Sequence, residues 1–128
     1  MNFVKSFSLA LMLAATSQTG WALDGEHLFL QNCAACHRPT GMGVPGAFPA
    51  LAHSKVVQGD PKEPITRILH GRGGMPAFQA EISDADIAAI LTYARNAWGN
   101  KAKPVTPAQV AVLRGGHKDN AKASLLAH

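Results

Sequence analysis

Apolar residues recur at helical spacing in three stretches of this chain, separated by segments too rich in glycine and proline to be regular. The first predicted helix covers Asp24 to Asn32, where Gly25, Phe29 and Cys33 follow one another every four residues and share a stripe. A glycine on that stripe lets a second helix cross closely, and Phe29 is placed to pack on it. His27 falls off the stripe and is expected to face solvent. A second helix is predicted from Asp60 as N-cap and Pro61 as first helical residue, with Ile65, Ile68 and Leu69 on one face and a stop at Gly71. The third opens on Ser83-Asp84-Ala85-Asp86, an acidic capping box, and carries Ile87, Ile90, Leu91, Ala94 and Trp98 in helical register before Gly99-Asn100. Its stripe is expected to cross the first helix near Gly25 and Phe29, with Ile90 and Tyr93 at the crossing. Beyond Pro104 the pattern weakens: Thr106-Pro107 can start a short helix through Leu113, closed by Gly115-Gly116.

The stretches between these helices have their own signatures. Arg38 to Leu51 is too dense in glycine and proline for a helix or a central strand, and a loop of that length in a small domain is expected to wrap something. Gly71-Arg72-Gly73-Gly74-Met75-Pro76-Ala77-Phe78 is a second such segment. At the N-terminus, Lys5 precedes an apolar run from Phe7 to Ala15 and then small and polar residues ending Gly20-Trp21-Ala22. This is the layout of an export signal over residues 1–22, removed after Ala22. A retained membrane anchor is the alternative, but the run falls well short of the ~20 apolar residues that span a bilayer. A soluble, periplasmic protein with no spanning segment after cleavage is therefore expected.

With 128 residues in all, the chain has room for one small domain. Charge divides it at Asn100: residues 23–100 hold six basic and seven acidic side chains, and residues 101–128 hold five basic and one acidic. The overall basicity thus belongs to a C-terminal extension, expected to be partly mobile, and not to the domain over 23–100. That extension has no aromatic residues, so nucleic acid is not implied as a partner. His117 and His128 lie in it and are expected to be solvated.

Both cysteines of the chain fall in Cys33-Ala34-Ala35-Cys36-His37. Two thiols at this spacing can each add to a vinyl group of a porphyrin, and the histidine that follows can take an axial position on its iron. The rival readings of a Cys-x-x-Cys are a thioredoxin-like redox pair, which would want a preceding strand, and half of a zinc site, which would want a second ligand pair. The sequence contains neither a second Cys-x-x-Cys nor a His-x-x-x-His. An iron-bound imidazole usually gives its other N–H to a carbonyl, and Pro49 is the candidate for it, with Leu51 packing on the ring; Pro49 as a simple turn residue is the alternative. For the sixth position, Met75 stands out because a glycine-rich loop presents it and a proline follows, whereas core methionines sit on apolar helix faces. Met42 and His70 are its rivals. Arg72, beside that loop, can pair with a haem propionate or simply stand in solvent. His53 and His70 are the only groups that could serve as distal acid or base if the iron were open.

Taken together, Gly25 and Phe29 ahead of Cys33, the Cys33–His37 motif, Pro49 with Leu51, Met75-Pro76, and a helix carrying Ile90 and Tyr93 resemble a class I c-type cytochrome over about residues 24–100. The stretches from Gly43 to Leu51, Met75 to Phe78 and Asp86 to Arg95 are similar to cytochrome subunits and domains that serve periplasmic dehydrogenases. These include quinone-dependent alcohol dehydrogenases, molybdenum dehydrogenases and copper nitrite reductases; the tail from Val105 to Ala111 is also similar to extensions in that group. The resemblance implies an all-α fold of three main helices and loops around one covalent haem c, with His37 and Met75 as axial ligands. It further implies electron transfer and no catalysis, with a periplasmic dehydrogenase as donor and an oxidase or reductase as acceptor. A haem enzyme or gas sensor with an open or labile sixth position, and a subunit held permanently in one complex, are the competing expectations.

Overall fold

The computed structural model describes residues 20–115. The leader read over 1–22 therefore lies outside the described residues except for its last three, as do His117, His128 and the rest of the tail beyond 115. Five helices are α1 (Gly20–Asn32), α2 (Ala34–His37), α3 (Lys55–Gln58), α4 (Lys62–His70) and α5 (Asp84–Ala94), and a sixth, α6, runs over 107–115. No strand occurs among the described residues; two isolated bridges, Val44 to Phe48 and Arg72 to Met75, pin turns in the loops. The fold is all-α, as the resemblance implies.

The crossing of α1 on α5 is the centre of the molecule. A Cβ added at Gly25 would stand 2.3 Å from the carbonyl oxygen of Ala89, so only glycine permits this approach. Phe29 is fully buried beneath it, with ring centroids 5.6 Å from Tyr93 and 5.1 Å from Trp98. Ile65 and Leu69 of α4 and Ile87, Ile90 and Leu91 of α5 complete the core.

Two helix ends and one added turn depart most from the sequence pattern. Helix α1 begins at Gly20, four residues ahead of the predicted start. Helix α5 ends at Ala94, although the apolar stripe continues to Trp98. The side-chain amide of Asn100 donates to the Ala94 carbonyl at 2.8 Å, and Trp98 takes a left-handed φ of 53°, which turns its ring back onto Phe29. Its indole N–H reaches the Pro39 carbonyl at 2.9 Å and so ties the loop after α2 to the end of α5. Helix α3 has no counterpart in the predicted elements; it is a single turn capped by Ser54, whose hydroxyl accepts from the Val57 N–H at 3.3 Å.

The extension over 101–115 lies against the domain. Thr92 exchanges hydrogen bonds with Val105, its hydroxyl donating to the carbonyl at 3.2 Å and accepting from the N–H at 3.0 Å. Val105 and Val110 are buried in the core, and Thr106 and Gln109 cap α6 reciprocally.

Candidate functional site

Helix α1 delivers the motif and α2 shapes it. The Cys33 N–H still bonds the Phe29 carbonyl at 2.8 Å, and Cys33 then caps α2, taking the His37 N–H on its own carbonyl at 2.9 Å. Cys33 and Cys36 are both free thiols, half buried. Burial, with the neighbouring Cys36 charge adding to it, pushes the Cys33 thiol up to about 11. That shift runs opposite to the lowered pKa of the reactive cysteine in a redox pair. Among the described residues no three His, Cys, Asp or Glu side chains gather, so the second ligand pair of a zinc site does not form there.

The loop after α2 folds back so that the Pro49 carbonyl stands 2.9 Å from Nδ1 of His37. A carbonyl only accepts, so Nδ1 carries the proton and the lone pair sits on Nε2. Leu51 is held beside them by its N–H to the Gly41 carbonyl at 2.7 Å and by its own carbonyl, which accepts from Asn100 at 2.9 Å.

Met75 comes from the other glycine-rich segment. Gly71 ends α4 at φ 71°, and a Cβ there would meet the Met75 carbonyl oxygen at 2.5 Å, so glycine is required for the chain to turn this sharply. Arg72 and Met75 exchange backbone hydrogen bonds at 3.0 and 3.1 Å, making a closed turn that offers the thioether.

These segments converge on one narrow apolar cleft of about 200 Å³. Cys33, His37, Pro49, Leu51 and Met75 all line it, together with Phe29, Ile68, Ile90 and Leu91 from the three long helices. Cys36, Met42, His53 and His70 do not. Met42 is 59% exposed and lines a separate surface hollow with Phe48. His53 stands at a left-handed φ of 57° with its N–H on the Asn100 side chain at 2.7 Å.

Arg67 is the cleft residue that sequence reasoning missed. It lines the cleft, its Nη2 donates to Glu63 one turn back at 2.5 Å, and its Nε is buried with no acceptor. The Glu63–Arg67 spacing was a visible signal of a helical ion pair, but nothing in it told which face would meet the cleft. A buried N–H without a partner costs about 1–3 kcal/mol, and a carboxylate in the cleft would remove that cost. Arg72, the residue singled out beside the loop, is exposed and lies 4.0 Å from Glu63. The donor set thus suits haem: a soft sulfur and a correctly protonated imidazole for iron, apolar walls for the macrocycle, and one buried, unpartnered guanidinium N–H for a porphyrin acid.

Residues 21–93, more than half the chain, match the family model described as cytochrome c oxidase, cbb3-type, subunit III. Cytochrome c-552 of Thermus thermophilus is 35% identical over 112 residues, covering 71% of this chain and 84% of that protein. The cytochrome c subunit of the quinone alcohol dehydrogenase of Gluconacetobacter polyoxogenes is 33% identical over 126 residues, covering 88% of this chain. The gluconate 2-dehydrogenase cytochrome c subunit of Pantoea cypripedii is 31% identical over 137 residues, covering 91% of this chain. The match takes in only 26% and 30% of those two subunits, so this chain spans about a quarter to a third of their length. With a single Cys-x-x-Cys-His, a helical fold around an apolar cleft and these relatives, the chain belongs to the cytochrome c family, whose members carry covalent haem c and transfer electrons through it.

Proposed function

We propose that this chain is a periplasmic electron carrier whose single haem is bound through Cys33 and Cys36 and ligated by His37 and Met75. It accepts electrons from a dehydrogenase and passes them to an oxidase or reductase. The observation that carries the reading is the 2.9 Å bond from His37 Nδ1 to the Pro49 carbonyl, which leaves Nε2 free to ligate in the cleft that Met75 also lines. Bound haem supplies a one-electron ferric–ferrous couple. The chain's own residues do the rest. Pro49 fixes the imidazole tautomer and Leu51 packs beside it. The Met75 thioether favours the ferrous state over what a second imidazole would give, suiting an acceptor downstream of a dehydrogenase. Arg67 Nε would pair with a propionate. If His37 and Met75 both ligate, no open site on the iron would be left for substrate. The dehydrogenase and cbb3 oxidase subunits among the relatives support a redox partner of this class. No described helix is long and apolar enough to cross a membrane.

The test is a visible spectrum of the haem-loaded protein in both oxidation states, with and without carbon monoxide. Expected are the weak far-red charge-transfer band of thioether-ligated ferric haem and a reduced spectrum that carbon monoxide leaves unchanged. Met75→Ala is expected to lose the band and bind carbon monoxide, and Met42→Ala to retain the wild-type behaviour. Ready binding of carbon monoxide by the wild type, or survival of the band in Met75→Ala, would overturn the ligation and bring forward the open-iron alternative.

A further inference from the structure

The loop that carries Met75 continues without helix to Ser83 and is gripped at its far end by a residue of the C-terminal extension. Arg114 of α6 spends its guanidinium on three acceptors there: Nε donates to Asp84 Oδ1 at 2.6 Å, Nη2 to the Ile82 carbonyl at 2.8 Å, and Nη1 to the Gln79 carbonyl. Asp84 is the first residue of α5, where a carboxylate is favoured by the helix dipole and is already in place to receive the cation. Val110, fully buried, and Leu113, packed on the core, hold α6 down so that Arg114 reaches its partners from a fixed base.

The same loop leaves α4 at Gly71 and returns to it past Met75, where the Phe78 and Gln79 N–H groups bond the Ile68 and Leu69 carbonyls at 2.9 and 3.3 Å; Gln79 is thus held by α4 through its N–H and by Arg114 through its carbonyl. Between Gly71 and Phe78, Met75 is held by its own turn with Arg72 and by its packing on the core. A thioether leaves iron only if its loop can swing outward, and the downstream hinge of that swing is the Phe78–Gln79 pair, whose Gln79 carbonyl Arg114 holds. Charge-assisted bonds to backbone carbonyls resist such a displacement more strongly than neutral ones.

We propose that Arg114 is a positioning residue for Met75: the C-terminal extension clamps the methionine loop and thereby sets how readily an outside ligand displaces the thioether. The proposal rests on the His37/Met75 reading. A lysine at this position can pair with Asp84 but cannot reach all three acceptors, so it restores the clamp only in part. Trp98, by contrast, ties the loop after α2 through its bond to Pro39 and takes part in none of the Arg114 hydrogen bonds.

The experiment titrates the ferric holoprotein with free imidazole, followed by loss of the far-red band, and measures amide hydrogen exchange over residues 77–84 against α1. Arg114→Met is expected to bind imidazole about tenfold more tightly, a difference of ~1.4 kcal/mol, and to exchange faster over 77–84 with α1 unchanged. Arg114→Lys is expected to fall between. Trp98→Phe, which loosens the loop after α2 instead, is expected to bind imidazole as the wild type does. The proposal is overturned if Arg114→Met binds no more tightly than the wild type, or if Trp98→Phe matches it, since that would mark general loosening. If the wild type shows no far-red band, the ligation reading has failed on its own; the clamp is then decided by exchange alone, and unchanged rates over 77–84 in Arg114→Met overturn it.

Discussion

Replacing Gly25 by alanine tests the architecture at its tightest point. The added methyl would sit 2.3 Å from the Ala89 carbonyl oxygen and 3.0 Å from Cβ of Tyr93, about 1 Å closer to the oxygen than van der Waals contact allows. The obstructing atom is backbone in the middle of α5, so no rotamer change relieves it and the two helices must part. Overpacking of this kind costs roughly 1–3 kcal/mol, and the absence of a side-chain escape places Gly25 at the upper end. Alanine returns at most ~1 kcal/mol through its better helix propensity. The net loss is about 2 kcal/mol, which in a domain of this size lowers Tm by roughly 8–16 °C. Because Phe29 of α1 and Ile90, Leu91 and Ala94 of α5 line the cleft, the parting also moves its walls. The assay is thermal unfolding of the holoprotein by circular dichroism, with Gly74→Ala as reference. An added Cβ at Gly74 meets nothing within 4 Å, so that variant should melt at or slightly above the wild-type temperature. A Gly25→Ala protein as stable as the wild type would refute the close crossing.

Three further outcomes follow from the same geometry. Tyr93 is the single tyrosine of the chain, and its phenol is raised above 10.0 by burial, then by the charge of Glu26 and the hydrogen bond to it. The unfolded chain therefore loses this proton first, and stability should fall as pH rises from about 10 towards the folded value; ultraviolet difference titration should show late ionisation that Glu26→Gln brings down, and an unshifted curve in that variant would count against the pairing. Asn100→Ala leaves the Leu51 and Ala94 carbonyls and the His53 N–H without their partner, so urea unfolding should show a loss of roughly 2–4 kcal/mol at unchanged m-value. Arg67→Gln removes a cation from the cleft and should lower the reduction potential in a spectroelectrochemical titration, since the ferric state gains most from the change; a midpoint that stays or rises would place Arg67 away from the propionate.

Much of this protein is local in origin and therefore legible along the chain. The Cys33–His37 motif works through spacing alone, because one turn of α2 suffices to set out both thiols and the imidazole. The stripe through Gly25 and Phe29, the capping at Ser83 and the stop at Gly71 are likewise decided by neighbours within a turn or two. Even the close crossing is announced by a glycine where an apolar residue would otherwise stand. What the sequence alone left open depends on groups far apart in the chain. Helix α5 stops at Ala94 because Asn100 folds back on it and Trp98 swings to Phe29, although the apolar period runs on. Arg67, and not Arg72, turns its Nε inward because α4 lies with that face on the cleft, an orientation set by packing against α5. Arg114 meets Asp84, Ile82 and Gln79 only because Val110 is buried against the domain, a long-range contact that no periodicity encodes. Sequence determined which chemistry the chain can hold; the tertiary structure decided which cations face the cleft and the methionine loop, since these choices are made by packing between elements and not within them.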